Sequence, residues 1–265
     1  MKKLMFAAAV AAGLVAFGDG LESQNTVGYE TRSLTADTKT ITGANFVTVG
    51  QNSLNLQSIT MDSDVVDGGT QIWWWNTATG KYNAQAFWYT ELYADEEGET
   101  TLGYAGWGDP EYWMPISKTF APGESFWIQA GVNASVTIAG EVLAAAANEE
   151  YVGIDLTADQ KVQLTNPFPV GTFSLQSIKM DDDVVDGGAQ IWWWNSTTGK
   201  YDAQAFWYTE LYADEEGETT LGYAGWGDPE YWMPITKTFA AGEGFWIQVG
   251  VNATVKFPNP FYVAE

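Results

Sequence analysis

The chain has 265 residues, of which 34 are acidic and 11 are basic, and it contains neither cysteine nor histidine. The absence of cysteine excludes disulfides, thiol nucleophiles and thiolate metal sites, and the absence of histidine excludes a Ser-His-Asp triad. The net charge of −23 repels phosphate backbones, which argues against nucleic acid as a partner.

The chain opens with a pattern typical of a secretory signal. Lys2 and Lys3 precede an apolar, alanine-rich run over 4–17, and the small residues Ala16 and Gly18 stand at its end. We therefore predict a signal peptide over 1–18 and a secreted or cell-surface location. Because no later run reaches eighteen apolar residues, we expect no membrane span in the mature chain.

The residues after the signal are arranged as short β-strands. Positions 23–34 and 54–59 alternate polar and apolar residues, as half-buried strands do. Gly80 follows the next strand, at 71–76, and is placed to close a hairpin. In the turn Pro122-Gly123, glycine supplies the positive φ that a type II turn requires, and the second copy keeps it as Gly242.

The strand at 71–76 contains three adjacent tryptophans, Trp73, Trp74 and Trp75. Successive side chains of a strand point to opposite faces, so Trp73 and Trp75 share one face and Trp74 takes the other. Indoles therefore face outward whichever face packs on the core. Either the sheet is covered on both sides, or two modules or two chains meet there, or an apolar-faced ligand stacks there. The candidate ligand-binding residues are Trp73, Trp75, Trp192 and Trp194.

Trp192 and Trp194 are the equivalents of Trp73 and Trp75 in a second copy of the module, which arose by duplication. Positions 56–134 align without gaps to positions 175–253, and ten of these 79 positions differ. We predict an all-β fold of two tandem antiparallel β-sandwich modules, with module 1 at 19–138, a linker at 139–150 and module 2 at 151–265. Any weak site on one module becomes bivalent in the chain.

Aspartates cluster in the turn before the tryptophan strand of each module. Calcium favours such groups of oxygen ligands, although the spacing is not that of an EF-hand loop. A calcium site and a solvated Asp-Gly turn both remain open, and no other cofactor is expected. The candidate ligands are Asp62, Asp64, Asp67, Asp181, Asp183 and Asp186.

Paired carboxylates can also hydrolyse glycosides when their separation is suitable. The candidates in module 1 are Glu91, Asp109, Glu111 and Glu124. Their spacing singles out no acid with a raised pKa, so we do not expect an enzyme.

Several short motifs resemble a recurrent module of uncharacterised exported bacterial proteins. They are Asn-Pro-Phe-Pro at 166–169, the Ile-Trp-rich strand before Thr-Gly-Lys-Tyr, and Gly-Glu-Gly-Phe-Trp-Ile at 242–247. The first copy departs from the pattern, with Ala-Asn-Phe-Val at 44–47. The resemblance implies a β-sandwich at the cell surface or outside the cell, and it implies no activity.

Together these features favour an exported, non-catalytic protein that acts by structural or adhesive display. Carbohydrate binding by tryptophan stacking is the alternative, and a carboxylate-dependent glycoside hydrolase is a third. The partners we expect are a glycan or another surface protein, with inter-module or homo-oligomer contacts through the tryptophan face.

Overall fold

The computed structural model describes residues 27–62, 65, 68–76, 79–92, 104–143, 149–169, 171–195, 198–211, 223–230, 233–240 and 242–262. The predicted signal peptide and the alanine run at 144–147 lie outside the described residues, as do Asp64 and Asp67.

The described part of module 1 consists of short strands and one turn of 3-10 helix. In chain order these are β1 (Val27–Leu34), β2 (Thr40–Gly43), β3 (Leu54–Asn55), η1 (Leu56–Ser58), β4 (Ile59–Met61), β5 (Thr70–Asn76), β6 (Lys81–Leu92), β7 (Tyr104–Gly108), β8 (Thr119–Phe120), β9 (Ser125–Ala130) and β10 (Ala134–Glu141). β10 thus continues three residues beyond the boundary that we placed at 138.

Module 2 repeats this order. Its elements are β11 (Tyr151–Leu156), β12 (Lys161–Leu164), β13 (Thr172–Ser174), η2 (Leu175–Ser177), β14 (Lys179–Met180), β15 (Ala189–Asn195), β16 (Lys200–Leu211), β17 (Tyr223–Gly227), β18 (Thr238–Ala240), β19 (Phe245–Val249) and β20 (Ala253–Pro258). None of the described residues belongs to a helix long and apolar enough to cross a membrane.

The strands of each module pair into a five-stranded and a three-stranded antiparallel sheet with a two-stranded ribbon. The orders are β2-β9-β5-β6-β7, β1-β10-β4 and β3-β8 in module 1, and β12-β19-β15-β16-β17, β11-β20-β14 and β13-β18 in module 2. The prediction of an all-β, antiparallel fold is confirmed. The finer prediction of two sandwiches is not, because the chain forms several small sheets and has a four-bladed, propeller-like aspect.

Each module has its own hydrophobic core, which draws on both of its larger sheets. In β9, Phe126 and Ile128 are fully buried in the core of module 1, while Trp127 and Gln129 point away from it. This alternation follows from the pleat of a strand. The residues that point away from the core decide how the two modules meet.

The tight turn before β9 has the backbone that the sequence predicts. Gly123 has a φ of +79° and its counterpart Gly242 a φ of +61°. Glu124 and Glu243 donate backbone hydrogen bonds across the turn to Ala121 and Ala240, at 2.9 and 3.0 Å. Glycine adopts this positive φ without steric cost, and both turns lie where one module contacts the other.

Candidate functional site

The tryptophan strand β5 separates its three indoles between two faces. Trp74 packs on the core of module 1 and meets Phe120 edge-to-face at 6.1 Å. Trp73 lies on the opposite face, beside Trp127 of β9 and Gln85 of β6. The Nε1 of Trp73 donates a hydrogen bond of 3.0 Å to the Oε1 of Gln85. The outer face of the five-stranded sheet is therefore aromatic.

The outer faces of the two modules meet in an inter-module seam. The ring of Trp75 lies 5.3 Å from that of Trp246, and Tyr82 lies 5.7 Å from Trp246. Trp127 lies 5.8 Å from Tyr201, which lies 5.3 Å from Trp194. These contacts are edge-to-face, an arrangement that stabilises aromatic pairs beyond their buried area. The seam consists of Trp75, Tyr82, Trp127, Trp194, Tyr201 and Trp246.

The seam is nearly symmetric, because its contacts occur in reciprocal pairs. Tyr82 of module 1 packs on Trp246 of module 2, and the equivalent Tyr201 packs on the equivalent Trp127. Near the pseudo-two-fold axis between the modules, Gly43 contacts Thr165, which is its counterpart in module 2. A Cβ on Gly43 would lie 2.1 Å from the Cγ2 of Thr165. Such an isologous contact is the kind made by two-fold symmetric dimers. The duplicated modules therefore pack as a dimer within one chain.

Burial in the seam changes the ionisation of its tyrosines. The hydroxyl of Tyr82 donates to the Oε1 of Gln163 across the seam. Desolvation raises the pKa of Tyr82 and of Tyr201 well above the ordinary value of 10.0. Both phenols are therefore held in the neutral form at physiological pH, and that of Tyr82 acts as a hydrogen-bond donor.

Lysine side chains cover two of the four predicted ligand-binding indoles. The Nζ of Lys39 lies 4.7 Å from the ring centroid of Trp73, and that of Lys161 lies 4.2 Å from Trp192. Burial lowers the pKa of Lys161 from its ordinary value of 10.5. These distances fit cation–π contacts. One face of each of these indoles is thus already occupied.

The other two predicted ligand-binding indoles lie in the seam, with different exposures. Trp75 is half-buried against Trp246, whereas its counterpart Trp194 is 46% exposed. The predicted face therefore serves mainly as a contact between modules, and Trp194 is the indole that remains open to solvent.

The two ends of the seam differ in the side chains that β1 and its counterpart β11 contribute, which are charged at one end and apolar at the other. Arg32 makes a salt bridge of 2.8 Å to Glu30, and its Nη1 donates to the backbone oxygen of Gly242 at 3.4 Å. At the equivalent end Ile154 packs on Gly123. Burial alone would raise the pKa of Glu30, but hydrogen bonds from Arg32 and from the Asn45 amide bring it below the ordinary value of 4.5.

The lowered pKa of Glu30 predicts that its ion pair stabilises the fold above about pH 4.5 and that this contribution is lost on acidification. Glu30→Gln should therefore lower the free energy of unfolding by about 1 kcal/mol at pH 7. The difference from wild type should shrink as the pH falls through the folded pKa. Urea unfolding between pH 7 and pH 3 measures both effects.

The second module supplies the matched control for this prediction. Glu30→Val combined with Arg32→Ile gives module 1 the residue types that module 2 has at the equivalent positions, Val152 and Ile154. This double variant should lose the pH-dependent contribution. It also leaves the buried Asn45 amide without its carboxylate partner, so it should cost about 1–3 kcal/mol at every pH. A difference between Glu30→Gln and wild type that persists unchanged at pH 3 would contradict the assignment.

Three of the aspartates proposed as calcium ligands, Asp62, Asp181 and Asp186, are engaged with protein donors. Asp62 accepts from the backbone of Ser135 at 2.7 Å. Asp181 makes a salt bridge of 2.8 Å to Lys256, and Asp186 accepts both the backbone and the hydroxyl hydrogen bonds of Thr209. Asp183 is exposed. Over the described part of the chain no three acidic residues form a metal-binding group.

Two of the carboxylates considered for glycoside hydrolysis, Glu124 and Asp109, have structural partners. Glu124 makes a salt bridge of 2.8 Å to Lys118 and accepts from the backbone of Ala121. Asp109 accepts the backbone hydrogen bonds of Glu111 and Tyr112 at 2.8 and 3.0 Å. Asp109 therefore organises a loop, and the side chain of Glu91 lies outside the described residues.

That loop, residues 109–114, is a feature that the sequence reasoning missed. Tyr112 is 69% exposed and Trp113 is 47% exposed. Trp113 has a φ of +58°, which is uncommon for a bulky residue. Its ring stacks on Tyr89 at 5.5 Å. The available signal was Asp-Pro at 109–110, which favours a turn, followed directly by two aromatic residues. We call residues 109–114 the aromatic loop.

Module 2 has the same loop frame. Asp228 donates its backbone N–H to Met233 at 2.8 Å and accepts from Glu230 at 2.8 Å, as Asp109 does with Met114 and Glu111. Comparison of the chain with models of protein families, with curated proteins and with solved structures gave no match.

Proposed function

We propose that this is an exported, non-catalytic protein of the cell surface or extracellular space, in which two β-sandwich modules display adhesive or structural contacts. A sandwich is supported by the way each core draws on a five-stranded and a three-stranded sheet. Export rests on the signal-like sequence at 1–18.

The observation that carries the display proposal is the aromatic loop. Exposed aromatic side chains are enriched in protein interfaces because they bury large areas with few rotatable bonds. Trp113 is kept at the surface by a strained backbone and by stacking on Tyr89, although burial would have stabilised it. The hydrogen bonds to Asp109 also order the loop before any partner arrives.

The seam adds rigidity to this display. Because the modules pack through reciprocal contacts, surfaces that are equivalent in sequence are presented in a nearly symmetric pair. A partner with repeated sites, such as a surface polymer or an assembly of this protein, could then be bound at two points. Two-point binding strengthens weak contacts by effective concentration.

Replacing both loop tryptophans, Trp113→Ala with Trp232→Ala, should abolish self-association or attachment to the cell envelope. Trp113→Ala should lower the free energy of unfolding by about 1 kcal/mol, because Trp113 lies outside the buried core and loses its stacking on Tyr89. Fractionation of cells into envelope and medium, with sedimentation of the purified protein, measures the effect. Trp232 is the sequence equivalent of Trp113 and lies outside the described residues.

The control is a second exposed pair that is repeated in both modules. Val132 and Val251 are 41% and 44% exposed, and changing both to alanine should leave attachment intact. A wild-type protein that is a free monomer in the medium would overturn the display proposal. A single Trp113→Ala change should weaken attachment about tenfold or more if the two loops act together.

Carbohydrate stacking remains the second candidate because of one observation, the 46% exposure of Trp194. Trp73 and Trp192 are poorer candidates, since lysines cover one face of each. An indole face pairs with the C–H face of a sugar only where that face is free. The candidate positions for sugar stacking are therefore the two ends of the seam, where Trp75 and Trp194 lie.

A further inference from the structure

Each end of the seam contains a cavity, and the two cavities occupy equivalent positions. One, of about 180 Å³, is lined by Trp75, Ser125 and Gln163. The other, of about 270 Å³, is lined by the counterparts Trp194, Gly244 and Ile41. The duplication has therefore produced two related cavities that differ in the chemistry of their walls.

The smaller cavity contains buried polar groups without protein partners. Ser125 is 1% exposed and Gln163 is 3% exposed. The Oγ of Ser125 and the Nε2 of Gln163 have no hydrogen-bond partner among the described residues. The Oε1 of Gln163 accepts from Tyr82, which fixes the amide. A buried polar group without a partner costs about 1–3 kcal/mol, so this arrangement favours an occupant that supplies the missing bonds.

The equivalent groups are absent from the larger cavity. Gly244 replaces Ser125 and Ile41 replaces Gln163, and neither replacement carries a polar side chain. A Cβ on Gly244 would lie 2.1 Å from the Cγ2 of Ile41, so these two residues fit each other closely. The polar pair is thus a property of one end of the seam, and the equivalent positions at the other end pack without it.

The chemistry of the walls defines the occupant. Trp75 supplies an apolar face, Gln163 a hydrogen-bond donor, and Ser125 a group that both donates and accepts. The nearby carboxylate of Glu124 is paired with Lys118, and that of Asp155 accepts from Thr254, which disfavours a cation. The net charge of −23 disfavours an anion. A neutral polyhydroxylated ring meets all of these conditions.

The volume of the cavity at Trp75 limits the size of the molecule that can bind there. Sites for drug-sized molecules occupy roughly 300–1,000 Å³, so about 180 Å³ suits a single ring. We propose that the cavity at Trp75, Ser125 and Gln163 binds one neutral sugar ring, such as the terminal residue of a glycan. This assigns a ligand class and a site that the display function does not require.

The test titrates the full mature chain with glucose, galactose, mannose and N-acetylglucosamine, with glucuronate as the charged control. Saturation-transfer NMR and calorimetry should detect binding of at least one neutral sugar, at one site per chain. Ser125→Gly with Gln163→Ile should weaken this binding at least tenfold while the fold is kept, because the other end of the seam has these residues. Glucuronate should bind more weakly.

The reverse variant tests for a gain of binding. Ile41→Gln with Gly244→Ser introduces the polar pair at the Trp194 end. Removal of the Ile41 Cγ2 relieves the 2.1 Å contact, and the serine Cβ would then lie 3.3 Å from the Oγ of Ser125. The stoichiometry should rise from one sugar to two. If Ser125→Gly with Gln163→Ile disturbs the fold, Ser125→Ala alone should weaken binding severalfold.

Two outcomes would overturn the proposal: none of the four neutral sugars binds, or binding is unchanged when Ser125 and Gln163 are both replaced. The variant lacking Trp113 and Trp232 should still bind sugar at one site. The attachment experiment therefore tests the aromatic loop and the sugar titration tests the cavity. Either proposal can fail while the other holds.

Discussion

Trp107→Ala is expected to lower the free energy of unfolding by about 3–5 kcal/mol, the range observed for removing a large aromatic side chain from a core. Trp107 is fully buried and meets Trp88 edge-to-face at 5.4 Å. Its Nε1 donates to the backbone oxygen of Ile59 at 2.7 Å. Truncation leaves a cavity and removes the donor of a buried carbonyl. Urea unfolding followed by tryptophan fluorescence measures the loss.

The duplicated module and the aromatic loop provide matched controls. Trp226 has the same surroundings, with Trp207 at 5.4 Å and a hydrogen bond of 2.9 Å to Ile178, so Trp226→Ala should cost a similar amount. Trp113→Ala should cost only about 1 kcal/mol. If Trp107→Ala were no more destabilising than Trp113→Ala, the description of the core would be wrong.

Gly43→Ala is expected to separate the two modules at the seam, at a cost of about 1–3 kcal/mol. The added Cβ would lie 2.1 Å from the Cγ2 of Thr165 and 2.8 Å from its Cβ, and 3.2 Å from the backbone oxygen of Glu124. Rotation of the threonine cannot relieve a contact with its own Cβ. The modules must therefore move apart, which exposes the seam aromatics to water.

Calorimetry should then show two unfolding transitions in place of a coupled one, and the seam tryptophans should become accessible to a fluorescence quencher. Gly171→Ala is the control, because nothing lies within 4 Å of its added Cβ. Equal effects of the two substitutions would contradict the close contact at the axis. Unchanged quenching in Gly43→Ala would contradict the covering of Trp75 and Trp127 by the other module.

Local structure was largely predictable from the sequence because its causes are local. The pleat fixes Trp74 on one face and Trp73 on the other, and Gly123 and Gly242 adopt the positive φ that their turn requires. The extent of the last strand of module 1 was less predictable, because the pairing of β10 with β1 continues to Glu141. That extension depends on a strand more than a hundred residues away.

The candidate sites were less predictable. The aspartate turn looked like a ligand set, yet Asp181 and Asp186 are used by Lys256 and Thr209, which the spacing alone could not reveal. The aromatic loop lacks the alternation that marked the tryptophan strand. Its exposure depends on the stacking of Trp113 on Tyr89 of β6, a tertiary contact that no local pattern indicates.

By itself the sequence determined the duplication, the β-strand pattern, the acidic charge, and the absence of cysteine and histidine chemistry, since each is written in neighbouring residues or in composition. Only the tertiary structure decided what covers the outward indoles and which polar groups become buried. The contact between Arg32 and Gly242 joins positions 210 residues apart. Packing between such distant faces depends on the shape of both modules at once, and no local periodicity encodes it.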